Sequence, residues 1–254
     1  MTISNTNYKA AQDWDTKRYQ SKHSYVWQFG SQLTELLNVK PGEQILDLGC
    51  GTGELTKQIQ DLGATAIGID SDPQMISKAK GQYPDIEFRH DDARSFSVSQ
   101  PVDKIFSNAA LHWVKEAEQA IKCISSALKS GGMFVAEFGG KNNVGTIVSF
   151  LEQSLGKDKN PWFFPGILDY THLLESNGFQ VTFAHLYDRP TPLDGEEGLR
   201  NWILMFGQAF LKGLNSNEIK EVLGEAEKNL RSSLYRNNRW IADYRRLRVI
   251  AYKK

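Results

Sequence analysis

ILDLGCGTG, residues 45–53, is the stretch whose reading decides the fold. A short apolar strand over 45–48 runs into three glycines in five residues, and a helix-patterned segment over 54–62 follows. Glycine has no Cβ, so such a loop can turn sharply and let a ligand come close to the backbone. The spacing of Gly49, Gly51 and Gly53 is G-x-G-x-G. The dinucleotide fingerprint G-x-G-x-x-G places its third glycine one residue later. Asp47 precedes Gly49 by two residues, where its charge attracts a cation and repels a pyrophosphate. Both departures favour S-adenosylmethionine, with its cationic methionine arm, over NAD.

Outward from this loop, strands and helices alternate. Residues 64–69 read as a second strand and 73–80 as a helix with Pro73 in its first turn. Third and fourth strands follow at 86–89 and 102–106. A helix over 117–128 is stopped by Ser130-Gly131-Gly132, and 133–138 is a fifth strand. A helix at 167–176 leads into a sixth strand at 180–186. The segment 196–240 is helical in pattern, and RLRVIAY, 246–252, closes as a strand. Upstream, Trp14, Tyr19, His23, Val26, Trp27, Leu33, Leu36 and Leu37 recur at helical spacing ahead of the break at Pro41-Gly42.

This alternation predicts an α/β fold: a Rossmann-like, doubly wound, mostly parallel sheet covered on both faces. Ligands in such sheets bind beyond the carboxyl ends of the strands, at the switch point of the strand order. A single domain over 1–254 is expected. It divides into an N-terminal helical lid (1–40), a Rossmann-like core (41–190), an inserted helical cap (191–243) and the closing strand (244–254).

Bulk composition narrows the function classes. The 254 residues are 40 % hydrophobic and 24 % charged, as in soluble globular proteins. Thirty basic residues balance thirty acidic ones, without the basic excess that nucleic-acid binding favours. The two cysteines, Cys50 and Cys123, imply no disulfide framework and fit a reducing compartment. The N-terminus lacks a basic and apolar leader pattern, and no apolar run approaches the ~20 residues a membrane span needs. A cytoplasmic monomer or weak homo-oligomer is expected, with a small-molecule partner, no nucleic acid, no membrane and no metal.

Further candidate residues fall at the same edge of the sheet. Asp70 ends the second strand about twenty residues past Gly49, where a carboxylate can accept from both ribose hydroxyls. It also reads as a turn acid, because Ser71-Asp72-Pro73 resembles a helix cap. Met75 is placed to cover an adenine face or to fill the core. In Asp91-Asp92-Ala93, after the third strand, Asp92 can accept from the adenine amine and the Ala93 backbone can donate to the ring. After the fourth strand comes FSNAALHW, 106–113, where Ala109 and Ala110 leave room for a methionine arm and an acceptor.

Taken together, ILDLGCGTG, GIDSDPQMI, the DDA triplet and FSNAALHWV resemble the class I S-adenosylmethionine-dependent methyltransferases. The match is nearest to the trans-aconitate methyltransferase-like (type 11) branch, in which Asn-x-x-x-His-Trp follows the fourth strand. By motif the resemblance covers residues 30–138, and beyond them it is one of architecture. It implies a seven-stranded sheet with the last strand antiparallel. It also implies cofactor contacts at Asp47, Gly49, Gly51, Asp70, Asp92, Ala93 and Asn108, to which position adds Cys50, Ser71 and Met75.

A sulfonium methyl is already activated, so such an enzyme mainly aligns the acceptor and excludes water. A hydroxyl or amine acceptor needs a base, for which His112 and His23 are the candidates; Tyr19, on the N-terminal helix, is a further catalytic candidate. Substrate contacts are expected from Trp14, His23, Trp113, Trp162 and Arg246. The aromatic loop PWFFP, 161–165, suggests a binding wall, while Trp202, Phe206 and Phe210 read as cap core. Arg189, Arg200, Arg245, Arg246 and Arg248 are candidates for a carboxylate clamp, and strand alternation puts Arg246 and Arg248 on one face. The resulting expectation is a methyltransferase acting on a small molecule, with O-methylation of a carboxylate as the finer reading. The alternatives are an NAD-dependent oxidoreductase and a non-catalytic S-adenosylmethionine-binding protein.

Overall fold

The structure, a computed structural model, describes residues 33–254. Residues 33–37 are helical and carry Leu33 and Leu37 into the core. The glycine loop joins β1 (Gln44–Leu48) to α1 (Glu54–Asp61). In β1 four successive residues are buried, as expected of a strand covered on both faces. β2 (Thr65–Asp70) leads into α2 (Pro73–Gln82), whose N-cap Asp72 accepts from the backbone N–H groups of Gln74 and Met75. Then come β3 (Glu87–His90), β4 (Val102–Asn108), a 3-10 turn at Leu111–Trp113, α3 (Ala117–Ala127) and β5 (Leu128–Gly139).

Three elements follow: α4 (Gly145–Leu155), α5 (Ile167–Ser176) and β6 (Phe179–Asp188). The next segment holds β7 (Thr191–Pro192), α6 (Gly198–Phe206), α7 (Gln208–Leu211) and α8 (Ser216–Leu234). A hairpin of β8 (Tyr235–Arg236) and β9 (Arg239–Ala242) precedes β10 (Arg245–Lys253). No helix among the described residues is long and apolar enough to cross a membrane.

Seven strands form one sheet in the order β3-β2-β1-β4-β5-β10-β6. The neighbouring pairs among β1 to β5 are parallel, and β10 runs antiparallel to both β5 and β6. The order reverses between β1 and β4, so the glycine loop opens at the switch point. One face of the sheet is packed by Leu37, Leu55 and Ile59, the other by Ile121, Ile124 and Leu174. A separate apolar cluster joins α4, α6 and α8 through Leu151, Trp202, Ile203, Leu223 and Leu230.

Three sequence expectations need correction. The inserted segment is not helical throughout: β7, β9 and β8 form a small antiparallel sheet, and Trp240 sits on β9. Asn237 and Asn238 both take positive φ, 52° and 57°, which gives the two-residue turn a hairpin favours. α4 was not foreseen. Its residues are rich in β-branched side chains, and its N-cap Val144 supplies no side-chain cap. Finally, β5 begins at Leu128, so Ser130-Gly131-Gly132 lies inside its span; the pairing with β4 shifts register between Val102 and Lys104.

Candidate active site

Gly49, Gly51 and Gly53 all lie in the left-handed region, at φ 81°, 55° and 89°. The loop is pinned at its root, because the Ile69 carbonyl accepts from the N–H groups of both Gly49 (2.7 Å) and Cys50 (3.0 Å). A Cβ on Gly49 would stand 2.1 Å from the Cβ of Ala110, so only glycine lets the loop meet the end of β4. At Gly51 an added Cβ would meet nothing within 4 Å, leaving open space beside the backbone.

Asp70, at the end of β2, faces that space. Its Oδ2 accepts from Gly51 N and its Oδ1 from Asp72 N, each at 2.9 Å. Burial raises its pKa against the lowering effect of these backbone donors. Asp47 lies beneath the loop, fully enclosed, and its Oδ2 accepts from Thr56 Oγ1 at 2.7 Å. Burial pushes its pKa up to about 7; the Thr56 bond lowers it, and the charges of Asp70 and Glu54 raise it. Cys50 is buried too, and burial raises its thiol pKa, so it is no nucleophile.

At the end of β3, Asp92 is grasped by Arg94. Its Oδ1 accepts from Arg94 N (2.8 Å) and Nε (2.9 Å), and its Oδ2 from a guanidinium nitrogen at 2.6 Å. The Arg94 hydrogen bond holds this carboxyl below the usual carboxylate range. Ser71 is exposed, and its carbonyl meets His90 Nε2 at 3.0 Å. Met75 is buried on the inward side of α2.

Beyond β4, a cavity opens next to the glycine loop. Ala109 is its nearest wall and takes φ 56°, with its N–H bonded to the Glu137 carbonyl at 2.7 Å. Such a conformation costs a residue with a Cβ and is held by its surroundings. His112, Trp113, Trp162, Phe164 and Arg246 line the cavity, with Asn143 and Val144 from the turn before α4. Trp202, Phe206 and Tyr244 close it. Its volume, counted as the space in which a water molecule can be centred, is about 40 Å³.

Two groups in this cavity carry its electrostatics. Arg246, only 3 % exposed, lies with its guanidinium carbon 4.6 Å from the centroid of the Tyr244 ring. His112, 7 % exposed, accepts at Nδ1 from Gly139 N at 3.4 Å. Burial drives the His112 pKa well below its usual value, and the Arg246 charge pushes it the same way. The imidazole is therefore neutral at physiological pH, with its hydrogen on Nε2.

Three comparisons bear on this geometry. A family model described as a methyltransferase domain matches residues 45–132, from β1 into β5. An uncharacterized methyltransferase of Schizosaccharomyces pombe is 33 % identical over 260 residues, covering 95 % of this chain and 98 % of that protein. The chain belongs to the class I S-adenosylmethionine-dependent methyltransferases. The trans-aconitate 2-methyltransferase of Deinococcus radiodurans is 29 % identical, over 67 % of this chain and 71 % of its own. The crystal structure of a proposed methyltransferase from Bacillus halodurans shares the fold, with TM-score 0.63 at 14 % identity over 88 % of this chain and 97 % of that one.

Family membership removes the NAD-dependent oxidoreductase. Within this methyltransferase, Asp47, Gly49, Cys50, Gly51, Asp70, Ser71, Asp92, Ala93 and Asn108 stand on or beside the ends of β1, β2, β3 and β4. His112, Trp113, Trp162 and Arg246 line one cavity. Trp14, Tyr19 and His23, and the lid they were read into, lie outside the described residues apart from 33–40.

Of the five arginines considered for a clamp, Arg246 lines the cavity and the other four form ion pairs. Arg189 and Arg248 bind Glu137, Arg200 binds Glu227 at 2.6 Å, and Arg245 binds Asp188 at 3.3 Å. Sequence reasoning passed over Glu137, Asn143, Val144 and Tyr244. Val144 takes φ 45° in a β-branched residue, which no sequence pattern announces. The end of the fifth strand was the available signal, since it reaches the same edge as the glycine loop.

Proposed function

We propose that this methyltransferase transfers a methyl group to a carboxylate oxygen of a small organic acid. The observation that carries the reading is Arg246 and neutral His112 facing one cavity that starts at Ala109, beside the glycine loop. A guanidinium engages carboxylate through two parallel hydrogen bonds, and His112 Nε2 can add a third donor.

The residues at the strand ends fit the cofactor. Open space at Gly51 accommodates a ligand against the backbone, and each Asp70 oxygen keeps a lone pair for a ribose hydroxyl. Gly49, Cys50, Gly51 and Asn108 would flank the methionine arm, with Asp47 supplying negative potential from below. Ser71 and Met75 would adjoin the ribose and adenine. Because Arg94 holds both Asp92 oxygens, adenine recognition falls mainly to the Ala93 backbone. When bound, S-adenosylmethionine supplies an electrophilic methyl: transfer forms the C–O bond of an ester, returns the C–S electron pair to sulfur and moves no proton.

That last feature matches the cavity. A hydroxyl or amine acceptor would have to lose a proton, and His112 is held neutral by burial and by Arg246. No carboxylate is among the described residues that line the cavity. A carboxylic acid is already ionised near pH 7 and needs no base.

The test is incubation with methyl-labelled cofactor and a panel of carboxylic acids, phenols and amines. The expected product is a methyl ester, formed only from acids and releasing labelled methanol in base. Base-stable label on amines or phenols, with acids inert, would overturn the reading.

A further inference from the structure

Gly139, the last residue of β5, has three polar side chains around it. Its N–H donates to His112 Nδ1 at 3.4 Å, and it lies in register with Arg246 of β10. A Cβ on Gly139 would stand 2.7 Å from Asn143 Nδ2 and 2.5 Å from Phe164 Cε1. The missing side chain therefore makes room for the Asn143 amide beside the other two groups. His112, Asn143, Phe164 and Arg246 all line the cavity that starts at Ala109.

The amide can face only one way. Asn143 Oδ1 accepts from Arg245 N at 2.9 Å, and a flipped amide would set N–H against N–H there. Nδ2, with two hydrogens to donate, is thus the end left for the cavity. Among the described residues none accepts from it. Yet Asn143 is only 2 % exposed, and an amide so enclosed ordinarily has a partner.

The turn that carries Asn143 is held at several points. Asn143 N donates to the Gly140 carbonyl at 2.9 Å, and Gly140 N to the Arg245 carbonyl at 3.0 Å. Val144 keeps its left-handed φ of 45° through its N–H, which the Asp243 carbonyl accepts at 3.0 Å. Asp243 Oδ2 accepts in addition from Thr146 N at 2.9 Å. Residues 140–146 are thereby clasped to 243–245. An amide so fixed loses little freedom when a ligand takes it, and strain such as that at Val144 clusters where a site must keep its shape.

We infer that Asn143 is a specificity-determining residue of the acceptor site, its Nδ2 donating to an oxygen of the acid's carboxylate. The inference rests on the carboxylate reading above and adds a third recognising residue to Arg246 and His112. An amide N–H rewards an oxygen that accepts and disfavours an ammonium group, which can only donate.

The side-chain amide signals of Asn143 in the NMR spectrum, assigned through its own backbone, read the contact directly. With the protein saturated in S-adenosylhomocysteine, acetate, benzoate and succinate are titrated in turn. At least one acid should bind saturably and shift the Asn143 Nδ2 protons along its binding curve. Asn143→Asp keeps an oxygen for Arg245 N but turns the donor into an acceptor, and should weaken that acid about tenfold or more. If an acid binds saturably while the Asn143 signals stay still and Asn143→Asp binds it as tightly, the role of Asn143 falls and the carboxylate reading stands. Saturable binding by none of the acids would overturn both. Should Asn143→Asp not fold, the wild-type signals decide alone.

Discussion

Thr56 donates its hydroxyl to Asp47 at the root of the glycine loop, and that bond works against the burial of the same carboxyl. With the folded pKa near 7, well above the unfolded value, this group stabilises the free protein at low pH. Its contribution is lost as pH rises through the window from the unfolded pKa to about 7. A bound cation reverses the preference, because it favours the carboxylate. Cofactor affinity should therefore increase with pH up to about 7 and level off above it. Calorimetry at about pH 6, in two buffers of different ionisation heat, should show proton release on binding S-adenosylhomocysteine. The Asp47→Asn variant should show none. Equal heats in both buffers for the wild-type protein would contradict this account of Asp47.

Among elements, the carboxyl ends of β5 and β6 and the amino end of β10 are tied together by one buried acid. Glu137 is 1 % exposed; its Oε1 accepts from Arg189, and its Oε2 from Arg248 and from the Tyr187 hydroxyl, each at 2.7 Å. Removing one partner of such a cluster leaves the others buried without compensation, at a cost of about 3 kcal/mol. Glu137→Gln should thus lower the melting temperature by roughly 6–12 °C for a chain of this size. A shift within about 1 °C would show that the three strands do not depend on it.

Nothing in the sequence flagged Glu137, because a single acid within an apolar strand gives no periodic signal. Strand and helix positions up to β5 were legible for the opposite reason: apolar runs and glycine punctuation repeat there. α4 and the β8–β9 hairpin were not legible. One begins on a left-handed valine without a side-chain cap, and the other turns on Asn237-Asn238 where glycine is the usual signal.

At the scale of the whole molecule, the strand order puts the glycine loop, Asp70, the Asp92-Ala93 turn and the end of β4 along one edge, with the aromatic cavity beside Ala109. The cofactor half of that edge could be read from motifs, since each of its residues follows a strand end. The cavity was legible only in part: His112, Trp113, Trp162 and Arg246 were named from the sequence, whereas Trp202 read as cap core and Tyr244 was passed over, because they come from distant segments that only folding brings together. It is the first half that underlies the whole account, and calorimetric titration tests it directly. S-adenosylhomocysteine should bind the wild-type protein, NADH should not, and Asp70→Ala should weaken binding by about 1.5–3 kcal/mol, the scale of a charge-assisted hydrogen bond. No heat from S-adenosylhomocysteine, or an unchanged affinity in a folded Asp70→Ala variant, would contradict the assignment of this edge as the cofactor site.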